Sequence, residues 1–299
     1  MIFDDEYGIY CKMKRLLIWV GLCLGFFGTP VKAQHTIYSQ ADSIQVVRLL
    51  KEAQKNKEKN VNWMLYFGRK LQGVPYVGGV LDDGEQENLI INLRQLDCTT
   101  FVEQVLALSQ CASHHKYSWN DFLSYMKNIR YIDGQISYVK RQHYFTTWIN
   151  DNVIQGLVKD VQGPVPPFSS KQTIHVNYMT THISLYKMLK AHPAWVHGIQ
   201  TMENDINGKV YRYIPKEKIS NTSLLRRTIH DGDILVMITN KKGLDTSHIG
   251  IASWHKDGLH MLNASSVHKK VIEEPMTLFK YMQKHPSQIG VRVVRPLYK

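Results

Sequence analysis

Three residues of this chain could carry nucleophilic chemistry together: a cysteine at a helix start, a histidine at the head of a strand, and an asparagine on the next strand. Cys98 stands near the start of Leu96-Asp97-Cys98-Thr99-Thr100-Phe101-Val102-Glu103-Gln104-Val105-Leu106-Ala107-Leu108. Phe101, Val102, Val105 and Leu108 recur at helical spacing and form an apolar face. Asp97 occupies the N-cap position. A thiol in the first turn faces backbone N–H groups that lack helical partners and the positive end of the helix dipole, and both favour the thiolate. A small buried residue is the other reading of such a cysteine. A nucleophilic thiol needs a base, and the base needs a group to orient it. Of the fourteen histidines, His248 is best placed, because it begins a strand and follows the polar Asp245-Thr246-Ser247.

The orienting group depends on hairpin register. With Asp257-Gly258 as a two-residue turn, Asn263 would face Ala252, about 13 Å along the sheet from His248. With Trp254–Asp257 as a four-residue loop, Asn263 faces His248 with Cβ atoms about 5 Å apart. The four-residue loop is the expectation.

Helices come first. Residues 42–72 keep a three-to-four spacing of Ile44, Val47, Leu50 and then Met64, Phe67, Leu71, interrupted by the polar run Lys55–Asn60. Gly73-Val74-Pro75-Tyr76-Val77-Gly78-Gly79 is a loop whose glycines permit close backbone approach. Asp82-Asp83-Gly84 is a turn and Leu89–Leu93 a short strand. Trp119–Ile129 is a helix, and Arg130–Gly134 turns the chain. Arg141–Trp148 mixes polar and aromatic groups, a composition that suits gripping a sugar or peptide as well as half-burial. Gly163-Pro164-Val165-Pro166-Pro167 excludes helix interior. Met179–Leu189 reads as helical and Val210–Ile214 as a strand. From Asp231 short strands follow: Asp233–Ile238, Ser247–Trp254, Leu259–Asn263, Val271-Ile272 and Val291–Val294. Helices before strands indicate an α+β fold.

The chain has 299 residues, 43% of them hydrophobic, and a formal charge of +12. A sizeable core is available. The Lys and Arg residues are scattered, which argues against a nucleic-acid partner. Met13-Lys14-Arg15, the apolar run Leu16–Phe27 and the small-residue site Val31-Lys32-Ala33 read as a secretory signal cleaved after Ala33. Residues 1–12 carry Asp4, Asp5 and Glu6 and fit no signal, so Met13 is the expected start. The run is short for a membrane span, and none is expected after cleavage. The exported protein then keeps Cys98 and Cys111. On one continuous helix they stand roughly 20 Å apart, beyond the ~7 Å limit for a disulfide. Cys98 is therefore expected to be a free thiol in an oxidising compartment, the periplasm or the exterior.

Cys, His and Asn in that order, helix before sheet, is the papain-like arrangement. Gly73–Gly79 followed by Asp97-Cys98-Thr99-Thr100-Phe101-Val102, with the later Ser247-His248-Ile249-Gly250-Ile251, resembles the NlpC-type superfamily of cell-wall cysteine hydrolases. Val77-Gly78 departs from that pattern, which usually has an aromatic residue before the glycines. Leu96–Leu108, Arg130–Asp151 and Gly243–Ser266 resemble the secreted N-acetylmuramoyl-L-alanine amidase-like family within it. The resemblance implies one papain-like domain over 34–299, with N-terminal helices packed on a C-terminal antiparallel sheet and a family-specific insertion at about 130–225. It implies Cys98 as nucleophile, His248 as general base and acid, and Asn263 as orienter. The Cys98 N–H and the Tyr76 hydroxyl would sit at the oxyanion. Asp97, Thr99, Arg141, His143, Tyr144 and Ser247 would line the substrate groove.

The implied substrate is peptidoglycan or a muropeptide, cut at the muramoyl–L-alanine amide. Cleavage between D-glutamate and the diamino acid is the alternative within the same fold, and wall binding without turnover is the alternative outside enzymology. No cofactor is expected. The chain has no His-Glu-x-x-His and no clustered cysteine pairs, so a catalytic zinc is not expected either.

Overall fold

Apolar periodicity of 3.6 dominates the first half of the chain and short apolar strands the second, and the computed structural model follows that division over the residues it describes, 36–298. The expected signal at 1–33 and the start at Met13 lie outside the described residues. In chain order the elements are β1 (Thr36–Ile37), α1 (Gln40–Lys55), α2 (Trp63–Lys70), β2 (Leu89–Ile90), α3 (Cys98–Ser113), α4 (Trp119–Arg130), α5 (Phe145–Ile154), β3 (Val158–Val161), β4 (Ser170–Thr173), α6 (Tyr178–Thr181), α7 (Lys187–Ala191), α8 (Trp195–Ile206), β5 (Val210–Pro215), α9 (Ser223–Thr228), β6 (Ile234–Thr239), β7 (Thr246–Trp254), β8 (Leu259–Ser265), β9 (Lys270–Glu273), α10 (Leu278–Gln283) and β10 (Gln288–Pro296). Among these described residues no helix is long and apolar enough to cross a membrane.

An eight-stranded sheet runs β4-β5-β10-β6-β7-β8-β9, with β3 also paired to β10. All its pairings are antiparallel. Ile234, Val236, Ile249, Ile251, Leu262 and Ala264 alternate onto one face and meet the core of α1–α5. Leu235, Met237, Ala252, Met261, Val291 and Val293 meet Leu225, Leu278 and Met282 on the other. Every residue of β6 is buried, because both faces are covered. A third apolar cluster gathers residues from Tyr138 to Tyr211, including Tyr144, Met179, Ile199 and Ile206.

α3 lies at the middle of the helical layer and is buried at every position from Thr100 to Ala112. Polar side chains inside such a helix need partners. Glu103 accepts from Arg130 Nε at 2.7 Å, and Arg130 Nη1 donates to the Ile90 carbonyl at 2.6 Å. Gln104 donates to the Asn92 carbonyl, and Gln110 to those of Leu157 and Leu297. α3 thereby fixes the loops before it and the C-terminal strand after it.

Two expectations are corrected here. Met179–Leu189 is not one helix: His182 has φ −126°, ψ 41°, and the segment breaks into α6, a 3₁₀ turn at Ile183–Leu185 and α7. The β7–β8 loop does have four residues, but they are His255–Gly258, since Trp254 pairs with Leu259. Ile251 pairs with Leu262, so one step on Asn263 faces Gly250, two residues from His248. It faces neither His248 nor Ala252.

Candidate functional site

The start of α3 is built by Asp97. Its carboxylate accepts from the Thr100 N–H and the Thr100 hydroxyl, both at 2.8 Å, while the Asp97 N–H donates to Thr100 Oγ1 at 3.0 Å. This reciprocal cap fixes Cys98 as the first helical residue. The glycine-rich segment is tied alongside. Val77 N–H donates to the Leu96 carbonyl, Leu96 N–H to that of Pro75, and Tyr76 N–H to that of Lys269. Gly73 and Gly79 make the turns at positive φ, 89° and 74°. Tyr76 is thus held half-buried next to the thiol. Burial, then the charges of Cys98 and Asp97, raise its hydroxyl pKa.

Cys98 is free and half-buried. The N–H of Ile249 points at its sulfur, and Thr99 Oγ1 lies 4.0 Å from it. The helix start does not leave a resting thiolate. Burial first, and the adjacent Asp97 carboxylate second, push the thiol up to about 12, against the opposing N–H groups of Ile249 and Thr99. The sulfur therefore needs a base to take its proton. It shares no hydrogen bond with His248.

His248 sits on a β-bulge. It pairs with Met237, whereas Thr246 pairs with Ile238, so Ser247 is the extra residue. Bulges of this kind re-aim the neighbouring side chain. The His248 ring reaches diagonally to Asn263, with Nε2 and Oδ1 2.9 Å apart. Glycine between them makes this contact possible. A Cβ on Gly250 would fall 2.5 Å from Met261 Cγ and 3.0 Å from Asn263 Cβ. Asn263 Nδ2 donates to Glu274 Oε1 at 3.1 Å and reaches toward the Ile272 carbonyl at 3.4 Å. Both acceptors demand the amide NH₂, so Oδ1 must face the imidazole. His248 then donates from Nε2, and Nδ1 keeps the lone pair of a base. Glu274 is buried and its other oxygen lies 3.3 Å from His268 Nε2. Burial lowers the His248 pKa from its ordinary value; the Asn263 bond and the Glu274 charge oppose this, and His285 adds to it. Tyr281 of α10 stacks on the ring, centroids 6.3 Å apart, and His285 stacks on Tyr281 at 4.2 Å.

The family model described as AmiA-like, N-acetylmuramoyl-L-alanine amidase-like, matches residues 66–291. The chain belongs to this family. An N-acetylmuramoyl-L-alanine amidase from Bacteroides uniformis is similar at 36% identity and TM-score 0.72, over 82% of this chain and 99% of that one. A Bacteroides fragilis protein bearing a provisional xylanase name is similar at 39% identity and TM-score 0.71, over 76% of this chain and 98% of that one. A Legionella pneumophila protein, 22% identical with TM-score 0.66 over 86% and 95%, shares the fold. No curated protein matches.

In this amidase-like chain the other expected residues are dispersed. Ser247 is exposed beside His248, and Thr99 is half-buried beside Cys98. Arg141 is buried, pairs with Asp82, donates to the Leu81 carbonyl and lies over the Tyr138 ring at 5.0 Å. It secures the 81–87 loop rather than presenting a free cation. His143 Nε2 donates to the Tyr138 carbonyl at 2.7 Å, and burial then Arg141 hold its pKa well below the histidine range. Tyr144 lies in the third core, its hydroxyl donating to Glu203 and accepting from the Met179 N–H. Its hydroxyl is fully engaged away from the thiol. Sequence reasoning missed Glu274 and Tyr281. Neither belongs to a motif; their only signal is position, one just after β9 and one on a short helix whose buried face it shares with Leu278 and Met282.

Proposed function

We propose that this chain is a peptidoglycan amide hydrolase working by acyl transfer through Cys98. The arrangement that supports this reading most strongly is the imidazole oriented by Asn263 at 2.9 Å, one residue from the N–H that points at the Cys98 sulfur. His248 Nδ1 takes the thiol proton as sulfur attacks the amide carbonyl carbon. The resulting oxyanion accepts from the Cys98 N–H and the Tyr76 hydroxyl, donors worth roughly 3–4 kcal/mol each when pre-aimed. His248 returns the proton to the leaving amine, and water, deprotonated by the same ring, releases the acyl group and regenerates the thiol. Thiol and imidazole meet when substrate is bound, because catalytic hydrogen bonds tighten on complex formation.

A papain-like architecture of the NlpC type over residues 34–299 belongs to this reading. So do an insertion at about 130–225, supported by the separate core there, and export behind the signal ending at Ala33. Between the two candidate bonds, the muramoyl–L-alanine amide is favoured by the family description and the B. uniformis relatives. The two nearby carboxylates are occupied, Asp97 as a cap and Glu274 by Asn263, which disfavours the paired acids of a glycosidase.

Purified wild-type and Cys98→Ala proteins incubated with defined muropeptides, read by mass spectrometry, test the proposal. Free stem peptide beginning with L-alanine is expected from wild type alone. Cleavage after D-glutamate would replace the bond assignment, and binding without products from either protein would replace enzymology with wall binding.

A further inference from the structure

The far end of the β7–β8 hairpin holds a second cluster. His255, Asp257 and His260 each offer one ligand atom, all within 4.8 Å of one another. The two imidazoles stack with centroids 4.1 Å apart. His260 Nδ1 lies 2.8 Å from the Glu274 carbonyl, which can only accept, so the ring proton is on Nδ1. Its Nε2 therefore carries a lone pair when the ring is neutral. That lone pair meets Asp257 Oδ1 at 3.0 Å. Two acceptors at this distance need a shared cation, a proton or a metal ion, and the two compete for the same lone pair. His255 is oriented similarly, its Nε2 donating to the Glu273 carboxylate at 2.7 Å. Glu273 is itself fixed by Arg69 and Ser253. Imidazoles turned by an N–H to a carboxylate or a backbone carbonyl are what metal-ligating histidines show.

We propose that His255, Asp257 and His260 bind a divalent transition metal of the zinc class. Two nitrogens and a carboxylate oxygen suit such an ion better than calcium or magnesium. The exposed side leaves a fourth position to water. Seven residues of extended strand separate His255 from His248, roughly 23 Å, so this ion takes no part in amide cleavage. It staples the turn of the hairpin that carries His248 and Asn263.

The test uses full-length Cys98→Ala protein, which removes the candidate-site thiol as a competing ligand. Zinc is titrated calorimetrically and the melting temperature followed. One equivalent of zinc should bind and raise Tm. His255→Ala and Asp257→Ala alter exposed side chains, so both variants fold, and both should lose the binding and the Tm rise. Glu273→Gln should weaken binding by about 10–100-fold. Absence of zinc binding to the Cys98→Ala protein, or binding unchanged in His255→Ala and Asp257→Ala, overturns the site. Either result leaves the Cys98 proposal untouched.

Discussion

Cys98 and Cys111 stand at opposite ends of α3, and burial pushes both thiols up to about 12. Acidity at rest does not separate them; surroundings do. Cys111 is fully buried in the apolar core between the helices. Cys98 is half-buried, has N–H groups directed at it, and lies beside Tyr76 and the strand bearing His248. A helix start alone does not make a nucleophile here. In the proposed mechanism it supplies a fixed position, and the imidazole supplies the proton acceptor.

The strongest way to break this comparison is to delete each sulfur. Cys98→Ala should lower kcat/KM on muropeptide by at least about 10⁴-fold. Cys111→Ala should leave kcat/KM unchanged and cost about 1–2 kcal/mol in urea unfolding, the cost of a small cavity. Equal kinetic losses would dissolve the distinction.

The interior of α3 offers the next contrast, because its charge is structural. Glu103→Ala leaves the Arg130 guanidinium buried without its carboxylate. It should destabilise the fold by about 3–5 kcal/mol in denaturant titration. Replacing Glu103 and Arg130 together with leucine should recover most of that loss. If the single variant is near neutral, the pair is not what holds α4 to α3.

The legibility of these regions differs for physical reasons. Asp97 as a cap, α3 beyond it, and the strands around His248 and Asn263 were readable because local chemistry decides them. Asp97 binds its own helix, and apolar alternation marks strands covered by helices. The loop lies one position later than expected, which moves the pairing by two residues and keeps every side chain on its face, because turn residues constrain loop length better than loop position. His248 and Asn263 meet despite this, since Gly250 opens the diagonal. Glu274 was unreadable: its partners Asn263 and His268 come from β8 and the loop after it, and only tertiary pairing brings them to it. Arg141 and Tyr144 look like ligands in sequence, but Asp82 and Glu203, distant in the chain, consume them. The broken 178–191 helices escaped because no cap or proline marks His182.

The base can be tested through Asn263. Burial lowers the His248 pKa, and the Asn263 bond raises it, so removing the bond lets it fall further. The wild-type kcat/KM should rise through an acid limb below about 6.5, as the imidazole loses its proton and becomes a base. In Asn263→Ala that limb should move to lower pH, and the plateau should drop by about 10–100-fold for loss of orientation. A limb moving to higher pH would mean that Asn263 does not stabilise the imidazolium.

The smallest effect tests the helix start itself. Asp97 caps α3, yet its charge raises the Cys98 pKa. Asn caps helices about as well as Asp, so Asp97→Asn keeps the bonds to Thr100 while removing the charge. The thiol pKa should therefore fall, and thiolate at a fixed pH should increase. The gain in thiolate is read as faster iodoacetamide alkylation at Cys98. Cys111 should stay unlabelled in the native protein, serving as the control within the same helix. Faster labelling with unchanged stability would show that the carboxylate before Cys98 is retained for its hydrogen bonds at the expense of thiol acidity. Unchanged labelling would show that the neighbouring charge is not felt at the sulfur, and that N–H groups and burial alone set its proton affinity.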